Sequence, residues 1–128
     1  MKATELRIGN FVDCNGIVSE IVEIRTNYVK LKYFREDVKK EHTSLVDLDE
    51  MVKKIPLTEE WLLKFGYYDE NSPNHFTKNE YTIDAHTFWK CNEMFIEDKN
   101  GVYVKYVHQL QNLYFALKQR ELTIKKQE

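Results

Sequence analysis

One run constrains this chain more than any other: Tyr106-Val-His-Gln-Leu110-Gln-Asn-Leu113-Tyr114-Phe115-Ala-Leu117-Lys-Gln-Arg-Glu-Leu122. At about 100° per residue, Tyr106, Leu110, Leu113, Tyr114 and Leu117 fall on one stripe. The run is therefore predicted to be an amphipathic helix, and that stripe has to be buried. Phe115 and Leu122 lie roughly 120–140° from Leu110, beside Gln111 and Lys118, and form a second apolar strip. Lys118 and Arg120 fall in the last turns, where cations complement the helix dipole. The second strip has two readings. Either a neighbouring element of the same domain covers it, or Phe115 and Leu122, flanked by Gln111 and Lys118, fill a groove on a partner. A membrane-surface helix fits poorly, because the polar face carries Gln and Asn instead of a dense Lys/Arg row.

The other segments are short, so the main stripe of Leu110, Leu113, Tyr114 and Leu117 is expected at the centre of the core. A chain of 128 residues is expected to form one domain. With 42% hydrophobic and 31% charged residues, it has the composition of a globular protein. No apolar run approaches the roughly 20 residues of a membrane span. The first residues, Met1-Lys-Ala-Thr-Glu-Leu-Arg, lack the apolar stretch of a secretory leader. Cys14 and Cys91 form no CxxC and no disulfide framework, so both are expected reduced, in a cytoplasmic protein. The net charge of −2 disfavours nonspecific coating of nucleic acid.

Residues 1–54 read as a β-rich part. Asn15-Gly16 is a strong hairpin signal, since both residues tolerate positive φ. Before it, Leu6-Arg-Ile-Gly-Asn10-Phe-Val carries a strand pattern with a Gly-Asn break. After it, Ile17–Ile24 is dense in β-branched residues. Tyr28–Phe34 alternates, with Val29, Leu31 and Tyr33 inward and Lys30 and Lys32 outward. These three strands predict a small antiparallel sheet, SH3-like or curled. Residues 35–54 are highly charged and lack a clear period, with a further strand expected only at Leu45–Leu48.

Residues 55–122 read as helix, hairpin and helix. In Ile55-Pro-Leu-Thr-Glu-Glu-Trp-Leu-Leu-Lys-Phe-Gly66, Thr58 is a good N-cap and Gly66 a good helix stop. Leu57 and Leu62 occupy the positions of a hydrophobic staple. Residues 67–79 look like loop, with a short strand hinted at Phe76, Tyr81 and Ile83. A strand over 88–97 and its return over 102–106 make the predicted hairpin. Residues 123–128 read as a frayed tail. The fold class expected is α+β: an N-terminal sheet, a short middle helix, a C-terminal hairpin and a closing helix.

Chemistry-bearing motifs are sparse. His42, His75, His86 and His108 show no metal-ligand spacing, and no phosphate-binding glycine loop occurs, so no cofactor is expected. A nucleophile would need Cys14 or Cys91 to meet His86 or His108, which nothing in the sequence requires. Glu93 and Glu97 beside Trp89 read as a solvated strand face. Lys30, Lys32, Lys90, Tyr103 and Lys105 are outward strand residues of the kind that bind RNA or DNA, cations beside aromatics.

The blocks Leu6-Arg-Ile-Gly-Asn10-Phe-Val, Ile55-Pro-Leu-Thr-Glu-Glu-Trp-Leu-Leu-Lys-Phe-Gly66 and Tyr106-Val-His-Gln-Leu-Gln-Asn-Leu-Tyr-Phe-Ala-Leu117 occur in that order and cover about a quarter of the chain. Together they resemble a group of small uncharacterised proteins of phages and prophages of Bacteroidetes-type bacteria. The resemblance transfers no catalytic residues. It implies a mobile-element accessory protein acting in the cytoplasm of a bacterial host. Small proteins of that context often disable host defence, as anti-CRISPR proteins do. The expectation is therefore a non-enzymatic protein that binds a host protein or ribonucleoprotein, with no membrane partner. A nucleic-acid-binding module is the alternative, and self-association is compatible with either.

Overall fold

The computed structural model describes residues 3–35, 38–69, 75–78, 81–87, 94–98, 101–122 and 124. The fold is α+β, with two antiparallel sheets and a long C-terminal helix. The first sheet holds β1 (Phe11–Cys14), β2 (Ile17–Ile24), β3 (Tyr28–Arg35), β4 (Lys40–Asp47) and β5 (Val52–Lys53). Its order is β4-β3-β2-β1-β5. Each strand follows its neighbour until β5, which returns to pair with β1 through Asp13↔Lys53 and Cys14↔Val52. A small antiparallel sheet, SH3-like or curled, was expected from the first three strands, and it forms here with five.

Local chemistry sets the turns. Cys14 pairs with Ile17, so Asn15 and Gly16 form a two-residue loop, and both have positive φ (51° and 86°). The right-handed twist of the strands favours this turn. Asp13 Oδ1 braces it by accepting from the Gly16 N–H at 2.6 Å. The register of β2 on β3 slips between Ile21 and Glu23, a bulge that helps the sheet to curl. After β4, Asp47 Oδ1 accepts from the N–H groups of Asp49 (2.9 Å) and Glu50 (3.1 Å). This caps the single turn α1 (Leu48–Met51), which carries the chain across to β5.

Two expectations are corrected here. The strand pattern at Leu6 does not become a strand until Phe11, because residues 8–9 form a turn. The second correction is larger. β4 runs from Lys40, and all its residues are registered on β3, from Arg35↔Lys40 to Tyr28↔Asp47. Its inward side carries Lys40, His42, Ser44 and Val46. Only the last is aliphatic, so the strand has almost no hydrophobic period.

The second sheet is also larger than the predicted hairpin. It contains β6 (Tyr68–Asp69), β7 (His75–Lys78), β8 (Tyr81–Thr87), β9 (Met94–Asp98) and β10 (Tyr103–Val104), in the order β10-β9-β8-β7-β6. Tyr68–Asp69, expected as loop, and His75–Lys78, where only a short strand was hinted at Phe76, supply two of its strands. The helix α2 (Glu59–Lys64) precedes it as anticipated: Thr58 Oγ1 accepts from the Trp61 N–H at 3.3 Å, and Leu57 and Leu62 are both buried. Gly66 follows with φ +89°, and the Lys78 ammonium donates to the Phe65 carbonyl beside it.

The last helix, α3 (Val107–Lys118), is shorter than its sequence pattern. Gln119 takes the left-handed conformation (φ 57°), and its N–H closes the helix on the Phe115 carbonyl at 2.8 Å. Gln119 to Leu122 is therefore not a helical continuation. The chain folds back, and Leu122 enters the core at 2% exposure. Leu110 and Tyr114 are buried as expected, whereas Leu117 is 45% exposed because the core ends a turn earlier.

The described residues form two hydrophobic cores. One lies in the first sheet around Val12, Ile21, Val29, Leu31 and Leu48. The other joins Trp61, Phe65, Tyr67, Phe76, Ile96, Leu110, Tyr114 and Leu122. Phe11 bridges them: it belongs to β1, but its ring lies 5.7 Å from Trp61 and 6.2 Å from Phe65. Beside it, Gln111 Oε1 accepts from the Phe11 N–H (2.8 Å), and Gln111 Nε2 donates to the Gly9 carbonyl (2.9 Å). Asn112 accepts from Asn10 Nδ2 (2.9 Å) and donates to the Glu5 carbonyl (3.0 Å).

Gln111 is 1% exposed, so its loss strands two partly buried backbone groups. Gln111→Ala is expected to lower stability by about 2–4 kcal/mol, read as a reduced midpoint in urea unfolding. An unchanged midpoint would show that water replaces both bonds at no cost.

Candidate functional site

The concave side of the first sheet is filled at one end and open at the other. Along the strands, Ile21 and Val29 give way to Ile17, Ser19, Tyr33 and Ser44. These residues, with Cys14, Leu31, Val46 and Met51, surround an open pocket of about 200 Å3. The Tyr33 and Ser44 hydroxyls are hydrogen-bonded at 3.1 Å. The His42 ring stacks on Tyr33 with centroids 6.0 Å apart, and His42 Nε2 is buried without a hydrogen-bond partner among the described residues. No Lys, Arg, Asp or Glu lines the pocket.

One wall of the pocket is β4, which is also the edge of the sheet. Among the described residues, no strand pairs with its outer side. An eight-residue edge presents a row of backbone donors and acceptors to a partner. Its outward residue Leu45 is half exposed, opposite Lys30. Cys14 is an unpromising nucleophile. Burial pushes its thiol pKa up and the Asp13 carboxylate adds to the shift, so the thiol stays protonated.

Of the partner-binding residues expected on α3, two are corrected. Gln111 and Leu122 are buried, Gln111 by its bonds to the β1 backbone and Leu122 by the turn at Gln119. Phe115 is 38% exposed and Lys118 is half-buried. The Arg7 guanidinium lies 3.8 Å from the Phe115 ring centroid, so the same chain covers one face of that ring. Arg7 is held there by its ion pair with Glu121.

The nucleic-acid set is divided. Lys30 and Lys32 share the outer face of β3, where exposed Tyr28 and Phe34 flank them. Lys32 is paired with Glu20 at 3.2 Å, and this contact raises its pKa. Tyr103 and Lys105 are exposed on or beside β10 in the other sheet. A hydrogen bond to Glu97, and the charge of Glu97, push the Tyr103 pKa up. Lys90 lies outside the described residues, as do Trp89, Cys91 and Glu93.

The pocket was only partly foreshadowed. Tyr33 was legible as an inward residue, but Ser44 and His42 on a charged strand gave no sign of a concavity. Among the described residues, no group of three or more His, Cys, Asp and Glu is placed to hold a metal ion, and no helix is long and apolar enough to cross a membrane. No family model, curated protein or solved structure matches the chain.

Among the described residues, His108 is a buried histidine outside the pocket. His108, in the first turn of α3, is 1% exposed, and its ring is stacked on Tyr106. Burial lowers its pKa, Glu5 at 3.8 Å opposes the shift, and Lys54 reinforces it. The folded chain therefore holds a neutral imidazole where the unfolded chain takes up a proton. Stability should be independent of His108 well above its ordinary pKa of 6.5 and fall as pH drops below it. Urea midpoints measured between pH 7.5 and 5.0 should show this loss, and His108→Gln should flatten it. An equal slope in the variant would assign the loss to other groups.

Proposed function

We propose that this chain is a non-enzymatic accessory protein of a phage or prophage that binds a host protein or ribonucleoprotein through its N-terminal sheet. The observation that supports it is the eight-residue edge strand β4 beside an open apolar pocket. Extended partners add to such edges, backbone bonds giving affinity and alternate side chains giving specificity. The sequence resemblance suggests the class of target: components of host defence, CRISPR effectors included, which the protein would inhibit.

A second reading is favoured by one feature, the stripe Tyr28, Lys30, Lys32, Phe34 on the outer face of β3. Cations between aromatics suit single-stranded RNA or DNA. The division of the remaining basic and aromatic candidates between two sheets makes it the weaker reading.

Capture from a bacterial lysate separates the two. The immobilised chain should retain a defined protein or ribonucleoprotein, identified by mass spectrometry. Leu45→Arg should reduce retention at least tenfold, because it places a cation along the edge, while Phe115→Ser should leave it unchanged. Leu45 is half exposed, so the substitution should leave the fold intact. Retention unaffected by Leu45→Arg would overturn the use of this edge. Fluorescence anisotropy with labelled single-stranded RNA at low salt tests the second reading. A signal that vanishes in Lys30→Glu would support it, and no signal would remove it.

A further inference from the structure

We propose that the pocket in the N-terminal sheet receives one uncharged apolar or aromatic side chain from an extended partner segment that adds as a strand along β4. The proposal rests on the reading of the chain as a protein-binding module and names the chemistry by which a partner is recognised.

Size is the first argument. Ligand pockets for drug-sized molecules span about 300–1,000 Å3, whereas an apolar cavity of about 150 Å3 takes a benzene ring. A pocket of about 200 Å3 therefore suits a single side chain better than a cofactor. Charge is the second. With no charged residue in the lining, a buried ammonium or carboxylate would lose its hydration without a counter-charge. The complementary group is neutral. The Tyr33–Ser44 hydroxyl pair uses one O–H in its mutual bond and keeps the other O–H as a donor.

Strand geometry is the third. Successive residues of a strand point to opposite faces, and residues directly opposite across a pair share a face with Cβ atoms about 4.5–5.5 Å apart. A segment added to the outer side of β4 therefore places the residues facing Ser44 and Val46 on the concave side, at the pocket. Their neighbours fall on the outer face beside Thr43 and Leu45. Edge and pocket form one site, because Ser44 and Val46 belong to both. His42 lies two residues along the same face of β4, its ring stacked on the pocket residue Tyr33.

Cys14 lines the pocket and serves as a reporter. Small disulfides ending in phenyl, isobutyl, ammonium or carboxylate groups are equilibrated with the folded chain under mild reductant, and the modified cysteine is located by peptide mapping. Phenyl and isobutyl should be captured at Cys14 at least tenfold over the charged pair. Ser44→Trp, shown to be folded by its circular dichroism, should abolish the preference by filling the pocket. In parallel, an acetylated hexapeptide alternating threonine and phenylalanine should slow hydrogen exchange of β4 amides in the native chain and not in Ser44→Trp.

Equal capture of charged and apolar groups would overturn the pocket's selectivity. Selective capture without β4 protection would make it a free small-molecule site and overturn strand addition. A lysate partner retained equally by the native chain and Ser44→Trp would sink this proposal while leaving the binding function standing. Absence of any retained partner would remove that function instead.

Discussion

The structure depends on two side-chain amides. Gln111 and Asn112 on α3 bind the backbone and side chains of residues 5–11, a segment that turns at Gly9 before β1 begins. Without them, the Phe11 N–H of the first sheet and the Gly9 carbonyl just before it, both partly buried, would lose their partners on the helix. Each such group costs about 1–3 kcal/mol when unsatisfied. These bonds let two separate cores act as one body. Phe11 adds the apolar component by extending from one sheet into the aromatic cluster of the other half. Arg7 completes the junction, stacked on Phe115 and paired with Glu121.

This junction also reassigns α3. A helix with two apolar strips invites reading as a docking surface. Here one strip is core, and the other is mostly accounted for within the chain: Leu122 is turned inward and Phe115 lies under a guanidinium. The polar residues between the strips are the least free of all, since Gln111 is committed to backbone partners. Availability for a partner thus shifts from the helix to the far side of the N-terminal sheet, where the edge and the pocket lie.

What the sequence disclosed follows from where its signals are local. Asn15-Gly16, Thr58, Gly66 and the Leu57–Leu62 staple act within a few residues, and each performs its expected role. The alternation of β3 was equally legible, because Val29, Leu31 and Tyr33 on its inner face alternate with Lys30 and Lys32. β4 was not, because its inner face is polar where the pocket opens. The strands at Tyr68–Asp69 and His75–Lys78 were obscured by turn-forming residues around them and by tertiary pairing. The end of α3 was misplaced because Gln119 adopts a backbone conformation that its residue type does not advertise. The burial of Gln111 was invisible, since its partners lie about a hundred positions away.

The edge strand carries a further consequence for crowded solution. An exposed β edge can zip to its own copy. A twofold axis normal to the sheet keeps the two concave faces on one side, so only residues of like parity can stand opposite. Centred on Thr43, such pairing sets Lys40 against Val46 and Glu41 against Leu45, each a charge facing an apolar side chain. Centred on Ser44, it sets Glu41 against Asp47, two like charges. In these registers the strand is poorly matched to itself, which disfavours the closing of two copies into an edge-to-edge dimer.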